Sequence, residues 1–291
     1  MLTSEKPGVD SVKLVVQALE KGWKSYLAEL KRCRLEFSNE AVHDLRVATR
    51  RAIAIIQLLS SISPRPRLRK IIRTFKAQMD ELDELRDTQV ILAELSETLQ
   101  EFPQLQRFQK QQHYFEEKLL KSLRRKIKKF RSNGLARRIR KLHEALQGEL
   151  PGALETPILQ AVDEAYLFAT QRLSLVDVAR PATIHRVRVA FKNFRYMVEI
   201  VHPLLMDFPR QRLKSMHDYQ SQMGEVQDAE VFMQTLNDYA ESASLHDLEA
   251  VRLYYERRHA AAISAYVEDM NHLHSFWRAA PDQPFPWEMS T

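Results

Sequence analysis

The segment HDLRVATRRAIAIIQLL at 43–59 aligns without gaps on HRVRVAFKNFRYMVEIV at 185–201, at an offset of 142 residues. His, Arg, Val and Ala recur at the first, fourth, fifth and sixth positions of both segments. A second pair, LDELRDTQVILAEL at 82–95 and MGEVQDAEVFMQTL at 223–236, aligns at an offset of 141. Two windows with nearly the same offset predict an internal duplication of a four-helix unit.

Each repeated segment has a basic face and an apolar face when it is wound as an α-helix. The basic stripe, about 60° wide in the first copy, consists of His43, Arg46 and Arg50, and in the second copy of His185, Arg188, Lys192 and Arg195. The opposite, apolar ridges contain Leu45, Ala48, Ala52, Ile55, Ile56 and Leu59, and Val187, Ala190, Phe194, Met197, Val198 and Val201. One cation per turn can meet successive phosphates of a chain, because Arg chelates phosphate oxygens and His donates a hydrogen bond. The stripes therefore predict an anion-binding site.

The rest of the chain also has helical periodicity, and the fold class we predict is all-α. The expected helices are 10–35, 40–62, 67–99 and 104–147, the last interrupted near Asn133-Gly134, and then 155–174, 181–205, 208–240 and 244–275. Proline and glycine separate these segments. We therefore expect a first four-helix bundle at 10–150, a second at 151–278, and an irregular C-terminal tail at 279–291, all within one domain.

Composition excludes several classes of protein. The 291 residues are 44% hydrophobic with only 6 glycines, which disfavours wholesale disorder and turn-rich β architectures. Cys33 is the single cysteine, so an intrachain disulfide or a multi-cysteine metal site is excluded. No apolar run approaches the ~18 residues of a membrane span, and 1–10 does not resemble a signal peptide. We expect a cytoplasmic protein that needs no cofactor and no metal.

Positive charge is concentrated in the first half of the chain. Residues 1–150 contain 31 Lys and Arg against 19 Asp and Glu, whereas residues 151–291 contain 13 against 19. The range 118–141 holds 12 basic residues and no acidic one, which points to a polyanionic partner. Additional one-sided cations are Arg69, Arg73 and Lys76 on the third expected helix, Lys121 and Arg125 on the fourth, and Arg212 in the second half. Arg86 and Asp87 are interpreted as structural ion pairs.

The motifs VHDLRVATRR and IHRVRVAFKNFRYMVEI, together with LRD and QDAEV after each following helix, resemble the CHAD family, the conserved histidine α-helical domain. The resemblance covers about residues 10–275. It implies two four-helix bundles related by pseudo-twofold symmetry, with inorganic polyphosphate bound in a basic central channel or groove and no catalytic activity. The binding residues carried over are His43, Arg46, Arg50, Arg51, His185, Arg188, Lys192, Arg195 and Tyr196.

Some positions depart from the family pattern. Asp83 stands where a Leu-Gly pair is usual, whereas Met223-Gly224 keeps the glycine, and Asn193 replaces a frequently basic residue. Together with its net negative charge, these features predict that the second half is the weaker binder. The Glu-x-Glu-x-Lys motif of the β-rich module that often precedes this domain is missing, so a stand-alone polyphosphate-binding protein is expected, with an association with polyphosphate granules as one location.

Two other functions compete with polyphosphate binding. Nucleic acid is the stronger, because basic helices neutralise any phosphate backbone, although aromatic side chains for base stacking are missing beside the stripes. An HD-type metal phosphohydrolase is suggested by His43-Asp44, His217-Asp218 and His246-Asp247. It is the weaker alternative, since Arg46 lies one turn from His43 and would repel a metal ion. A membrane-surface role is disfavoured because the bundle cores need the apolar ridges.

Overall fold

The computed structural model describes residues 10–149, 154–243 and 248–289, and every regular element in these ranges is helical. The α-helices are α1 (Ser11–Leu35), α2 (Asn39–Ile62), α3 (Pro66–Thr98), α4 (Gln106–Lys129), α5 (Asn133–Glu149), α6 (Glu155–Leu173), α7 (Ala182–Val201), α8 (Gln211–Ala243) and α9 (Glu249–Asp269). Short 3₁₀ turns occupy Pro103–Leu105, His202–Leu204 and Met270–Ser275. The all-α prediction is confirmed for the described residues.

Local sequence sets where the first helices begin. Asp10 accepts a hydrogen bond from the backbone N–H of Lys13 at 3.0 Å, and Ser38 accepts one from Ala41 at 3.2 Å. Both residues are N-caps, which satisfy amides that the first helical turn leaves without a partner. α3 instead starts with Pro66, whose missing N–H costs nothing in the first turn.

The interruption expected near Asn133-Gly134 lies slightly earlier, because Asn133 already begins α5. The backbone of Phe130 is extended and ends α4. The Arg34 guanidinium donates to the carbonyls of Ile127 at 3.2 Å and Phe130 at 2.5 Å. A long-range arginine therefore satisfies the end of α4, which no local pattern in the sequence indicates.

Neighbouring helices pack against each other along the chain in both halves. In the first half α1 packs on α2, α2 on α3 and α3 on α4, and in the second α6 packs on α7, α7 on α8 and α8 on α9. The halves meet because α2 contacts α6 and α7, α1 contacts α7, and α3 contacts α8. The two helices that carry the repeated stripes therefore lie side by side. The expected bundle boundary at 150–151 lies outside the described residues.

All of the residues predicted for the two apolar ridges are buried. All of them except Ala48 belong to one hydrophobic core that continues from α1 through both halves to the C-terminal tail. A second core lies at the far ends of α3 and α8, around Leu95, Phe108, Phe232 and Tyr255. Along α3 and α8, the two cores are separated by a short polar stretch. No described helix combines the length and the apolar character that crossing a bilayer requires.

The C-terminal tail, expected to be irregular, contains no helix or strand over its described residues 279–289, and it packs on the segment before it through Trp277. Asp163 on α6 accepts hydrogen bonds from the Trp277 indole at 2.7 Å and from the Arg278 guanidinium at 2.9 and 2.6 Å. Phe285 and Trp287 are buried and stack with ring centroids 4.5 Å apart. These contacts fasten the tail onto the second half of the molecule.

Candidate anion-binding site

The packing of α2 on α7 brings the two predicted stripes to one place. Arg46 and Arg50 from α2 act electrostatically on Arg188 and Lys192 from α7, and each of these cations disfavours the charge of its neighbours. We call these four residues the central cluster. Because every pairwise interaction among these four cations is repulsive when they are charged, a nearby anion stabilises the cluster.

Within the central cluster, Lys192 has the most strongly lowered pKa. Burial, followed by the charges of Arg188, Arg50, Arg46 and Arg195, lowers its pKa to about 6. No carboxylate of the described residues lies within 4.0 Å of its ammonium group. Lys192 is therefore largely a neutral amine at pH 7 until a negative charge approaches it.

The arginines of the cluster are also partly withdrawn from water. Burial, and then the charge of Arg46, lowers the pKa of Arg50 to about 10. Burial lowers the pKa of Arg188, against the opposing effect of Asp228. The Nε of Arg188 is buried without a hydrogen-bond partner among the described residues. Arg188 thus retains an unused donor, and buried unpaired donors favour binding an acceptor.

Helices α3 and α8 place acidic and basic side chains next to the central cluster, and we call Arg86, Asp87 and Asp228 the floor of the site. Burial raises the pKa of Asp87, and Arg46 opposes the shift. Burial likewise raises the pKa of Asp228, and Arg188 and Arg86 oppose it. The prediction that Arg86 forms structural ion pairs is wrong for the described residues, since no carboxylate among them lies within 4.0 Å of its guanidinium. Arg86 lies near Arg46 and Asp228 and joins the candidate site, where the sequence had not placed it.

One arginine of the cluster has a direct partner. Arg46 donates through Nη1 to Oδ1 of Asp83 on α3. The Arg46 side chain is 8% exposed, whereas the Asp83 side chain is 46% exposed. The carboxylate therefore lies on the solvent side of the pair and covers the guanidinium.

Arg195 and Arg51 flank the cluster and are held by Glu199. Arg195 donates to Glu199 at 2.5 Å and to Gln220 at 3.0 Å, and Arg51 lies 3.4 Å from the same glutamate. Both guanidiniums approach the buried ring of Tyr196, at 4.6 and 6.0 Å from its centroid. Arg195 is therefore already held by protein partners through Nε and Nη1.

The paired histidines lie at the edge of the cluster. Burial, and then Arg86, lowers the pKa of His43, while burial and Arg188 lower that of His185. Both imidazoles are therefore neutral at pH 7 and can contribute one N–H donor each. His185 Nδ1 is buried without a partner in the described part of the chain.

The contacts of the HD dipeptides do not favour a metal centre. Asp44 accepts a hydrogen bond at 2.6 Å from Arg32 on α1, which turns its carboxylate away from the role of a metal ligand. Among the described residues, no three His, Cys, Asp or Glu side chains are placed to hold a metal ion. His246-Asp247 lies outside the described residues.

The remaining predicted site residues lie outside the central cluster. Arg69, Arg73 and Lys76 are exposed on α3, on the same helical face as Asp83, so they extend the basic surface from the cluster toward the start of α3. The exposed residues Lys121 and Arg125 lie on α4. Arg212 donates to the Ser275 carbonyl at 2.5 Å and stacks on Trp287 at 5.1 Å. Its contacts fasten the tail, contrary to its predicted place in the site.

Comparison with known proteins supports the fold. The family model described as CHAD domain matches residues 17–237. The crystal structure of the CHAD domain from the plant Ricinus communis is similar to this chain, with a TM-score of 0.65 at 16% sequence identity. The similarity covers 95% of this chain and 93% of the plant chain. No curated protein sequence matches the chain.

Proposed function

The chain belongs to the CHAD domain family, and we propose that it binds inorganic polyphosphate in the groove between its two halves, without catalysing a reaction. The ligand contacts would come first from Arg46, Arg50, Arg188 and Lys192, with N–H donors from His43 and His185. The exposed cations of α3 would continue the path of the phosphate chain. The cytoplasm, including polyphosphate granules, is the location that accords with this ligand.

The observation that carries the proposal is the crowding of half-buried cations without enough counter-charge. Burial and mutual repulsion lower the pKa values of Arg50, Arg188 and Lys192, so the free site holds its charges at a cost. A linear chain of phosphates supplies repeated negative charge at several points of the groove at once. Guanidiniums bind phosphate oxygens with paired hydrogen bonds, which a partly buried site strengthens.

Polyphosphate fits this groove better than nucleic acid. Proteins that bind single strands stack the bases on exposed aromatic rings. The aromatic ring beside the central cluster is Tyr196, which is buried and already approached by Arg195 and Arg51. Among the residues that the structure describes, the site therefore offers contacts for phosphates and no free aromatic ring on which a base could stack.

The test is a competition between long-chain polyphosphate and random single-stranded DNA at matched phosphate concentration. A site that recognises phosphates alone should retain polyphosphate when DNA is present in equal amount. The control is the variant Arg50→Gln/Arg188→Gln, which should lose this preference while its circular dichroism stays helical. Equal displacement by the two polymers would overturn the proposal in favour of nucleic-acid binding.

A further inference from the structure

The two halves of the site differ at one aligned position. At the offset of 141 residues, Asp83 on α3 corresponds to Gly224 on α8. Arg46 and Arg188 correspond to each other in the preceding helices. In the first half a carboxylate therefore covers the arginine, and in the second half the corresponding residue has no side chain.

We propose that Asp83 is a built-in competitor of the phosphate ligand, which occupies Arg46 in the free protein and is displaced when polyphosphate binds. The inference rests on the proposed function. It assigns to Asp83 a role in setting affinity, and it makes the second half the open part of the site. The sequence had predicted the opposite, that the second half is the weaker binder.

The exposure of the pair favours exchange over permanent pairing. A carboxylate and a phosphate offer an arginine the same kind of acceptor, two oxygens that can take parallel N–H bonds. Arg46 is buried and cannot replace Asp83 by bulk water, whereas Asp83 is nearly half exposed and can be solvated after it leaves. Leaving Arg46 uncovered is costly, so its partner is lost only when another anion takes its place.

The second half shows how the same position looks without a competitor. A side chain begun at Gly224 would place its Cβ 3.5 Å from Nη2 and 3.6 Å from Nε of Arg188, an ordinary contact distance. An aspartate there would therefore bring its carboxylate within reach of this guanidinium. With glycine, Arg188 keeps a buried Nε without a partner among the described residues.

The other acidic residues of the floor do not explain the difference. Asp87 and Asp228 correspond to each other at the same offset, so each half has one. Asp87 acts on Arg46 and also on Arg188, and Asp228 acts on Arg188 and Arg86. The asymmetry between Arg46 and Arg188 thus depends on position 83 and its counterpart.

The test measures polyphosphate affinity of Asp83→Asn against the matched control Asp80→Asn. Asp80 is an exposed residue one turn earlier on α3, with no ion pair among the described residues, so both variants change the net charge equally. Removing a competing charged hydrogen bond should raise affinity about tenfold for Asp83→Asn, and clearly less for Asp80→Asn. Equal gains in the two variants would mean that Asp83 contributes only general repulsion, and would overturn the inference.

The reciprocal variant Gly224→Asp provides a test that keeps the Arg46 pair intact. It should lower polyphosphate affinity by covering Arg188, and Gly224→Asn is its uncharged control. This variant also tests the inference if Asp83→Asn fails to fold. If Gly224→Asp binds polyphosphate as tightly as Gly224→Asn does, the inference is overturned. Failure of the wild-type protein to bind polyphosphate would instead refute the proposed function, so the two failures are distinguishable.

Discussion

The protein has two concentrations of positive charge, and they differ in their contact with water. The basic range 118–141 on α4 and α5 contains many more cations than the central cluster, but most of them are exposed. Some of these cations have local partners: Lys126 lies 3.4 Å from Glu81, and Lys118 lies over the ring of Tyr114 at 4.2 Å. In the central cluster, the cations are half-buried or buried. Other cations act most strongly on Lys192 and Arg50, whereas Arg46 is paired with Asp83 and Arg188 is near Asp228.

From this comparison we expect that the burial of charges, more than their number, decides where an anion binds. Water and salt screen exposed charges over about 10 Å, so a long exposed run acts mainly as a diffuse field. Desolvated charges at close range repel strongly, and an incoming anion relieves that repulsion. We therefore expect the small central cluster to dominate affinity and the exposed run to contribute to the rate of encounter.

The largest effect should come from removing cations in each region. Arg50→Gln/Arg188→Gln should reduce polyphosphate affinity by about 100-fold or more, because each variant residue loses a charged hydrogen bond. Lys121→Gln/Arg125→Gln removes the same charge from the exposed face and should cost less than about 3-fold. The measurement is a binding titration of both double variants at several salt concentrations. Similar losses would show that the two regions are equivalent.

The next effect is a dependence of polyphosphate affinity on pH. The pKa of Lys192 is about 6 in the free protein, and a bound anion should raise it, so the complex holds a proton that the free protein lacks above pH 6. From about pH 6 upward, affinity should therefore fall as the pH rises, by at most about tenfold per pH unit for one proton. The groups that face Lys192 are Arg188, Arg195, His185, Arg46, Arg50 and Asp228.

The matched variant for this pH dependence is Lys192→Arg, which keeps its charge across the range. It should flatten the dependence to the smaller contribution of His43 and His185, whose pKa values are also lowered. Lys121→Arg on the exposed face should leave the wild-type profile unchanged. An unchanged profile in Lys192→Arg would contradict the assignment of the proton to this residue.

A smaller effect should appear in the stability of the ligand-free protein. Folding lowers the pKa of Lys192 from its ordinary 10.5 to about 6. The unfolded chain therefore binds more protons in this window, and stability rises as the pH increases from 6 to 10.5. Lys192→Met should raise the Tm at pH 7, by about 2–4 °C for each kcal/mol relieved, and the gain should shrink toward pH 10. Lys121→Met is the control. If it raises the Tm at pH 7 by the same amount, the central cluster and the exposed run do not differ in the cost of holding a charge.

The smallest effect is expected for an ion pair of the exposed run. Lys126 and Glu81 are both about half exposed, and such pairs contribute at most about 1 kcal/mol. Lys126→Ala should therefore leave the urea midpoint almost unchanged, and high salt should abolish any difference from the wild type. A large loss of stability would contradict this prediction and show that the exposed Lys126–Glu81 pair contributes as much as a buried one.

Sequence periodicity predicted the framework of the site well, because local pattern determines which face of a helix is apolar. The buried ridges around Ile56 and Val198 follow from that pattern, whereas the convergence of Arg46 with Arg188 was implied by the family resemblance. Periodicity does not specify which side chains pair across helices. The partners of Arg46 and Arg195 are residues on later helices, Asp83 and Gln220. The cations of the two stripes therefore differ in a way that the sequence does not indicate: Arg188 has an unpaired donor, Arg46 is covered, and Arg195 is held by protein partners.

The fastening of the tail has an optical consequence. The chain has three tryptophans, at positions 23, 277 and 287. Trp277 donates to Asp163, Trp287 donates to the Met206 carbonyl, and Trp23 stacks beside Tyr26 on α1. All three indoles lie outside the central cluster, so intrinsic fluorescence should report the release of the tail and the opening of the first helices. An anion titration should leave that emission steady, which makes fluorescence a clean monitor of integrity during binding experiments.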